Sequence, residues 1–149
     1  MRRCRDLPGQ ELFQYLDEAG QPATIDSADV NDYICQATGE HFTAKDFRTW
    51  AGTVSCALVL QETLAKTKAR PTNRQLVKAV AQVAAQLRNT PAVCRKSYIH
   101  PTVIASYLDG TLSSKLSARL GRRKSRTQRG LRRGEAAVLA LIGRSSNGG

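Results

Sequence analysis

Apolar residues recur every three to four positions along most of the chain, which is the period of amphipathic helices rather than of strands. Val30, Tyr33, Ile34 and Ala37 follow Ser27, a suitable N-cap, and Asp29, which suits the positive first turn; Gly39 then stops a helix of about three turns. Thr43 can cap a second, longer helix. Its Phe47, Trp50, Ala51, Val54, Ala57, Leu58, Leu64 and Ala65 cover most of the circumference, so it is expected to be central and buried on several sides. Thr72 can cap a third, with a stripe of Leu76, Val77, Val80, Val83, Ala84 and Leu87 ending at Asn89. Thr90-Pro91 is a cap followed by proline at the first helical position and opens a short helix through Tyr98. His100-Pro101 interrupts it before Val103, Ile104, Tyr107 and Leu108 continue. Gly134 to Ile142 forms one more apolar helix. The stretch from Leu7 to Pro22 is broken by turn residues and is expected to be an extended or irregular lead-in. There is no internal repeat, and the chain reads as all-α.

At 149 residues this pattern fits one domain, taken as 1–143, with 144–149 as a frayed tail. The net charge of +11 narrows the partner to a polyanion, because counterions released from phosphates drive such binding whatever the sequence. Most of that charge lies between Lys115 and Arg133, a block with nine Lys and Arg and no acid, expected to be solvated and self-repelling until DNA phosphate arrives. No apolar run reaches the roughly 20 residues of a membrane span, and nothing behind Met1-Arg2-Arg3 resembles a signal peptide, so a cytoplasmic, nucleoid-associated monomer is expected. Cys4, Cys35, Cys56 and Cys94 lack zinc or disulfide spacing and read as reduced small hydrophobes.

Few residues could carry chemistry. Arg48 lies in the most apolar helix, and the residues three and four positions away include no carboxylate, so its partner must come from another element. That partner is either an acid elsewhere in the fold or a phosphate, which the planar guanidinium can hold with two parallel hydrogen bonds. Tyr98 follows Arg95 and Lys96, and Arg95, three residues back, sets a cation near it on the same helix. Most helical tyrosines are core residues, so the spacing leaves both a structural and a nucleophilic role open. Tyr15, Tyr33 and Tyr107 lack this basic setting, and His41 and His100 have no metal-ligand spacing. No phosphate-binding glycine loop and no acidic cluster for magnesium is present in the sequence.

Lys45-Asp46-Phe47-Arg48-Thr49-Trp50 and, some fifty residues on, Leu87-Arg88-Asn89-Thr90-Pro91-Ala92-Val93-Cys94-Arg95-Lys96-Ser97-Tyr98 together resemble the catalytic domain of type IB DNA topoisomerases, the small bacterial and poxvirus-like kind. The resemblance runs from Arg3 to about Ile142. It implies a compact helical core shared with the tyrosine recombinases and a reaction without ATP, metal or cofactor. In that reaction a tyrosine attacks the DNA backbone to form a 3′-phosphotyrosyl linkage, the free strand swivels, and the reverse attack reseals the nick. By position, Tyr98 is implied as the nucleophile, Arg48 as one of two arginines that neutralise the transition state, and Asn89 as a hydrogen-bond donor where viral members carry histidine. Lys45 stands where tyrosine recombinases usually show histidine, which favours a topoisomerase over a recombinase. Lys45, Arg95, Lys96, Arg122, Arg123, Lys124, Arg126 and Arg129 are expected to contact double-stranded DNA. The family places its other arginine and its general-acid lysine upstream of the residues matched here, so the isolated chain is expected to relax DNA weakly or not at all. A non-catalytic DNA-binding protein on the same scaffold is the alternative outside enzymology.

Overall fold

The computed structural model describes residues 14–67, 70–120 and 132–143. Among them the order of elements is β1 (Gln14–Leu16), β2 (Pro22–Thr24), α1 (Ser27–Thr38), α2 (Ala44–Thr67), α3 (Asn73–Gln86), α4 (Pro91–Ser97), α5 (Pro101–Leu108), α6 (Leu112–Leu120) and α7 (Arg133–Ile142). The fold is mainly α, as the periodicity predicts. It divides into two compact units between Phe47 and Arg48, inside α2.

In the first unit the expected irregular lead-in is, over its described part, a small antiparallel hairpin pairing Gln14 with Thr24 and Leu16 with Pro22. Its turn is fixed by the Asp17 carboxylate, which accepts from the amides of Ala19 and Gln21, and by Gly20 at φ 76°. Helix α1 is capped one residue earlier than the sequence suggests, by Asp26. That side chain accepts from Ala28 and Asp29 while Asp29 returns a bond to the Asp26 amide. Gly39, left-handed, closes the other end. Thr43 starts α2 as expected, in a reciprocal pair with Asp46, and this hydrogen bonding holds the Asp46 carboxyl below its ordinary range.

The second unit contains the buried core. Cys56, Ala57 and Leu60 of α2 meet Leu76, Val80 and Val83 of α3, Cys94 of α4, Val103 and Tyr107 of α5, Leu112 and Leu116 of α6, and Val138 and Leu141 of α7. Helix α2 is not buried on several sides: Phe47, Ala51, Leu58 and Ala65 are exposed, and Gly52, Thr53, Cys56, Ala57 and Leu60 form one narrow inward stripe. Small residues dominate that stripe because α2 is approached closely there; of the apolar residues expected to be buried, Ala57 is in the core and Trp50, Val54 and Leu64 pack partly buried against it. Thr72 caps α3 through a reciprocal bond with Gln75. The Tyr107 hydroxyl, fully buried, donates to Gln75 Oε1 at 2.8 Å and accepts from the Thr72 amide, so this tyrosine staples α5 to the start of α3.

A second correction concerns the basic block. Its first residues are not a solvated coil but part of α6, which turns Leu112 and Leu116 into the core against α5 and α7, while the Lys115 ammonium reaches Ser106 Oγ at 3.5 Å. Two leucines four residues apart bury enough apolar surface to order a helix in spite of its charge. Arg122, Arg123, Lys124, Arg126 and Arg129 lie outside the described residues.

Cys56 and Cys94 are fully buried and Cys35 is half-buried, all as free thiols, while Cys4 lies outside the described residues. Burial, with the Cys94 thiol nearby, pushes the Cys56 thiol up to about 12, and burial raises Cys94 as well, so both stay protonated and pack as small hydrophobes. Among the described residues no helix is long and apolar enough to cross a membrane.

Leu116→Ala should destabilise the protein by about 2–5 kcal/mol in urea unfolding, the cost of a cavity in a packed core. A change within about 0.5 kcal/mol would mean that α6 is solvated after all.

Candidate active site

The site is built on the close approach of α2 to the end of α4. A Cβ placed on Gly52 would sit 2.5 Å from the Tyr98 carbonyl oxygen, 3.1 Å from Leu87 Cδ1 and 3.3 Å from Tyr98 Cβ, so only glycine lets the helix come this near. One residue on, the buried Thr53 Oγ1 reaches the Tyr98 carbonyl at 3.4 Å and accepts from the His100 amide at 3.0 Å. Thr49 Oγ1 lies 3.4 Å from the Ser97 carbonyl. The backbone from Ser97 to His100 is therefore held by one face of α2.

Tyr98 is the C-cap of α4. Its amide closes the last turn on Cys94, the helix starts from the Thr90 cap and Pro91 as the sequence predicts, and α5 restarts two residues later with His100 as its cap. His100 Nδ1 accepts from the Thr102 amide, which gives that imidazole a structural task. The short, twice-capped helix fixes the direction of the Tyr98 side chain, which is half-buried.

The turn from α3 to α4 contributes the third side. Leu87 caps α3, Arg88 follows at φ 53°, and the amides of Arg88 and Asn89 return to Ala85 and Ala84 at 3.2 and 2.9 Å, the hydrogen-bond pattern of a Schellman cap. The turn leaves the Leu87 carbonyl pointing at α2. There Arg48 Nη2 donates to it at 2.7 Å and Asn89 Nδ2 donates at 3.3 Å, and the Arg48 guanidinium lies over the Tyr98 ring, 5.1 Å from its centroid. Arg48 and Asn89 thus share one oxygen, and Arg48 links them to Tyr98, fifty residues away in sequence.

The acid weighed as a partner for Arg48 is not found among the described residues. The side chain is exposed, and its described partners are a backbone carbonyl and an aromatic face. Hydrogen bonding to Leu87 uses one of its five N–H donors. Arg95 and Lys96 are exposed on α4, where with Ala92, Ile99, Pro101, Ile104 and Leu108 they line an open groove of about 660 Å³. Lys45 is exposed on the first turn of α2. Among the described residues no cluster of three or more His, Cys, Asp or Glu could hold a metal ion. Gly52 and Thr53 went unread in the sequence. The available signal was a glycine followed by a threonine inside an otherwise apolar helix, the mark of a close backbone approach.

Charge is distributed accordingly. From Arg48 onward there are nineteen Lys and Arg against three Asp and Glu, whereas the preceding segment has four against nine, so the excess positive charge lies in the unit that contains Tyr98.

Comparison with known proteins identifies the family. Residues 1–124 match the family model for the eukaryotic DNA topoisomerase I catalytic core, a span that includes Arg48, Asn89 and Tyr98. The chain belongs to the type IB DNA topoisomerases. It is similar to DNA topoisomerase 1B of Acanthamoeba polyphaga mimivirus, 38% identical over 103 residues, which is 62% of this chain and 30% of the viral protein. The topoisomerase chain thus spans under a third of the relative that it matches.

Gly52→Ala should push α2 away from the Tyr98 carbonyl and cost about 1–3 kcal/mol in thermal unfolding. An unchanged melting temperature would mean that the close approach is not tightly held.

Proposed function

We propose that the site performs transesterification on a DNA strand, with Tyr98 as nucleophile and Arg48 and Asn89 as the donors that stabilise the transition state. The observation that carries this reading is the convergence of the Arg48 and Asn89 donors on one oxygen beside the Tyr98 ring. The Leu87 carbonyl anchors both side chains, so the N–H donors that they do not spend on it are held ready for a non-bridging phosphate oxygen with little reorganisation, which is the basis of electrostatic preorganisation. The membership of the chain in the type IB topoisomerases supports the same assignment.

In this reaction the Tyr98 hydroxyl loses its proton and its oxygen bonds to phosphorus. The bond from phosphorus to the 5′-oxygen breaks, and that oxygen takes up a proton to leave as a 5′-hydroxyl. The phosphate is then joined to the tyrosine and to the 3′ side of the strand. Rotation of the free strand changes the linking of the duplex, and attack by the 5′-hydroxyl restores the phosphodiester and frees Tyr98. The energy of the broken ester is kept in the phosphotyrosine, so no nucleotide is consumed. The Arg48 fork counters the charge that grows on the equatorial oxygens. Asn89 supplies a neutral hydrogen bond whose loss would cost about 2–4 kcal/mol in the transition state, by analogy with other oxyanion donors. Expulsion of the 5′-oxygen is assisted by a general acid, which the family resemblance assigns to an upstream lysine. A chain acting without that acid would cleave roughly 10² to 10⁴ more slowly.

The test is a duplex in which the segment downstream of the cut, the one released with the 5′-hydroxyl, is short enough to dissociate, so that resealing fails and the labelled upstream segment stays on the protein. Incubation of the chain with this labelled substrate, followed by detergent denaturation, should give labelled protein, and Tyr98→Phe should give none. Labelled protein that persists in Tyr98→Phe would assign the nucleophile elsewhere. Salt-dependent binding without any adduct after long incubation would support the non-catalytic reading.

A further inference from the structure

We infer that Arg88 is a phosphate-binding residue of this site, holding a backbone phosphate of the same strand beside the one presented to Arg48 and Asn89; this rests on the functional reading above. Arg88 is, among the described residues, the one non-glycine with positive φ, at 53°. Left-handed backbone crowds a Cβ against its own carbonyl, and glycine is the residue that the closing position of such a helix cap ordinarily takes. The chain places an arginine there, one residue before Asn89 and one after the carbonyl shared by Arg48 and Asn89.

The structural uses of a cation at this position do not account for it. A positive side chain complements the C-terminal dipole of α3, but one carried at Gln86 or Leu87, in the same last turn and with ordinary backbone, would do so without the strain. An ion pair would be a second reason, yet the Arg88 guanidinium has no hydrogen-bond or ion-pair partner among the described residues, and it is exposed. The sequence offers none nearby: from Thr63 to Leu108 there are eight Lys and Arg and no Asp or Glu. An unpaired arginine in strained backbone, at the rim of a site that already aims two donors at one oxygen, is suited to an anion arriving from solution. DNA supplies such an anion at each step along the strand, so a second phosphate lies close to the first.

The proposal makes stability and binding move in opposite directions, which a merely structural residue would not do. Arg88→Gly relieves the strain and should raise the melting temperature by a few degrees, whereas fluorescence anisotropy with a labelled duplex should show affinity on the order of fivefold weaker. The slope of log affinity against log salt should become shallower by about one. Arg88→Lys, which keeps the charge and the strained backbone, should retain the wild-type slope. An Arg88→Gly protein that binds DNA with wild-type affinity and slope would overturn the assignment, and so would one that melts lower than wild type. If the wild-type chain shows no salt-dependent binding to the duplex, the functional reading itself fails. If the wild type binds and Arg88→Gly matches it, only the role of Arg88 fails.

Discussion

The contact between Gly52 and the Tyr98 carbonyl is the constraint on which the site depends. Two helices whose backbones come this close leave no room for a side chain between them, and the bare face of α2 fixes where α4 ends. Arg48, one turn before Gly52 on the same helix, is carried to the Tyr98 ring and to the Leu87 carbonyl by that approach. Thr53, one residue after it, ties down the backbone on either side of Ile99. A displacement of α2 by the width of a methyl group would separate the guanidinium from both of its partners while leaving every helix intact.

The rest of the second unit serves to hold these few turns. The Thr90 cap and Pro91 make α4 begin at a set place, and the His100 cap makes α5 begin again just after Tyr98, so the tyrosine sits in a short break whose two sides are both terminated by hydrogen bonds. Helices α6 and α7 complete the core beneath. The Tyr107 hydroxyl is fully bonded in the interior, whereas Tyr98 is half-buried beneath a guanidinium, so the two tyrosines stand in different surroundings.

Much of this was legible in the sequence because helix ends are written locally. Thr72, Thr90-Pro91, Gly39 and Thr43 act where their side-chain chemistry predicts, and Asp26 displaces Ser27 as a cap by one residue only. Tyr98 and Arg48 stood out through the resemblance, not through their spacing. What the sequence did not reveal depends on contacts between distant segments. The buried face of α2 follows Gly52, Thr53 and Cys56, small residues whose burial is decided by α4 and not by their own hydrophobicity. The partner of Arg48 is a main-chain oxygen thirty-nine residues away, which no side-chain pattern records. Leu116 was hidden inside the basic block and Leu112 just before it, because charge density was weighed without the two buried positions that order α6.

The measurement that tests the central claim most directly is peptide mapping of the DNA-linked protein. After reaction with the substrate that cannot be resealed, the complex is digested with protease and nuclease and the modified peptide is sequenced by mass spectrometry. The account predicts a single modified residue, Tyr98, bearing the phosphate of a 3′-nucleotide. A linkage to any other residue, or a phosphate attached through the 5′ side of the strand, would contradict it.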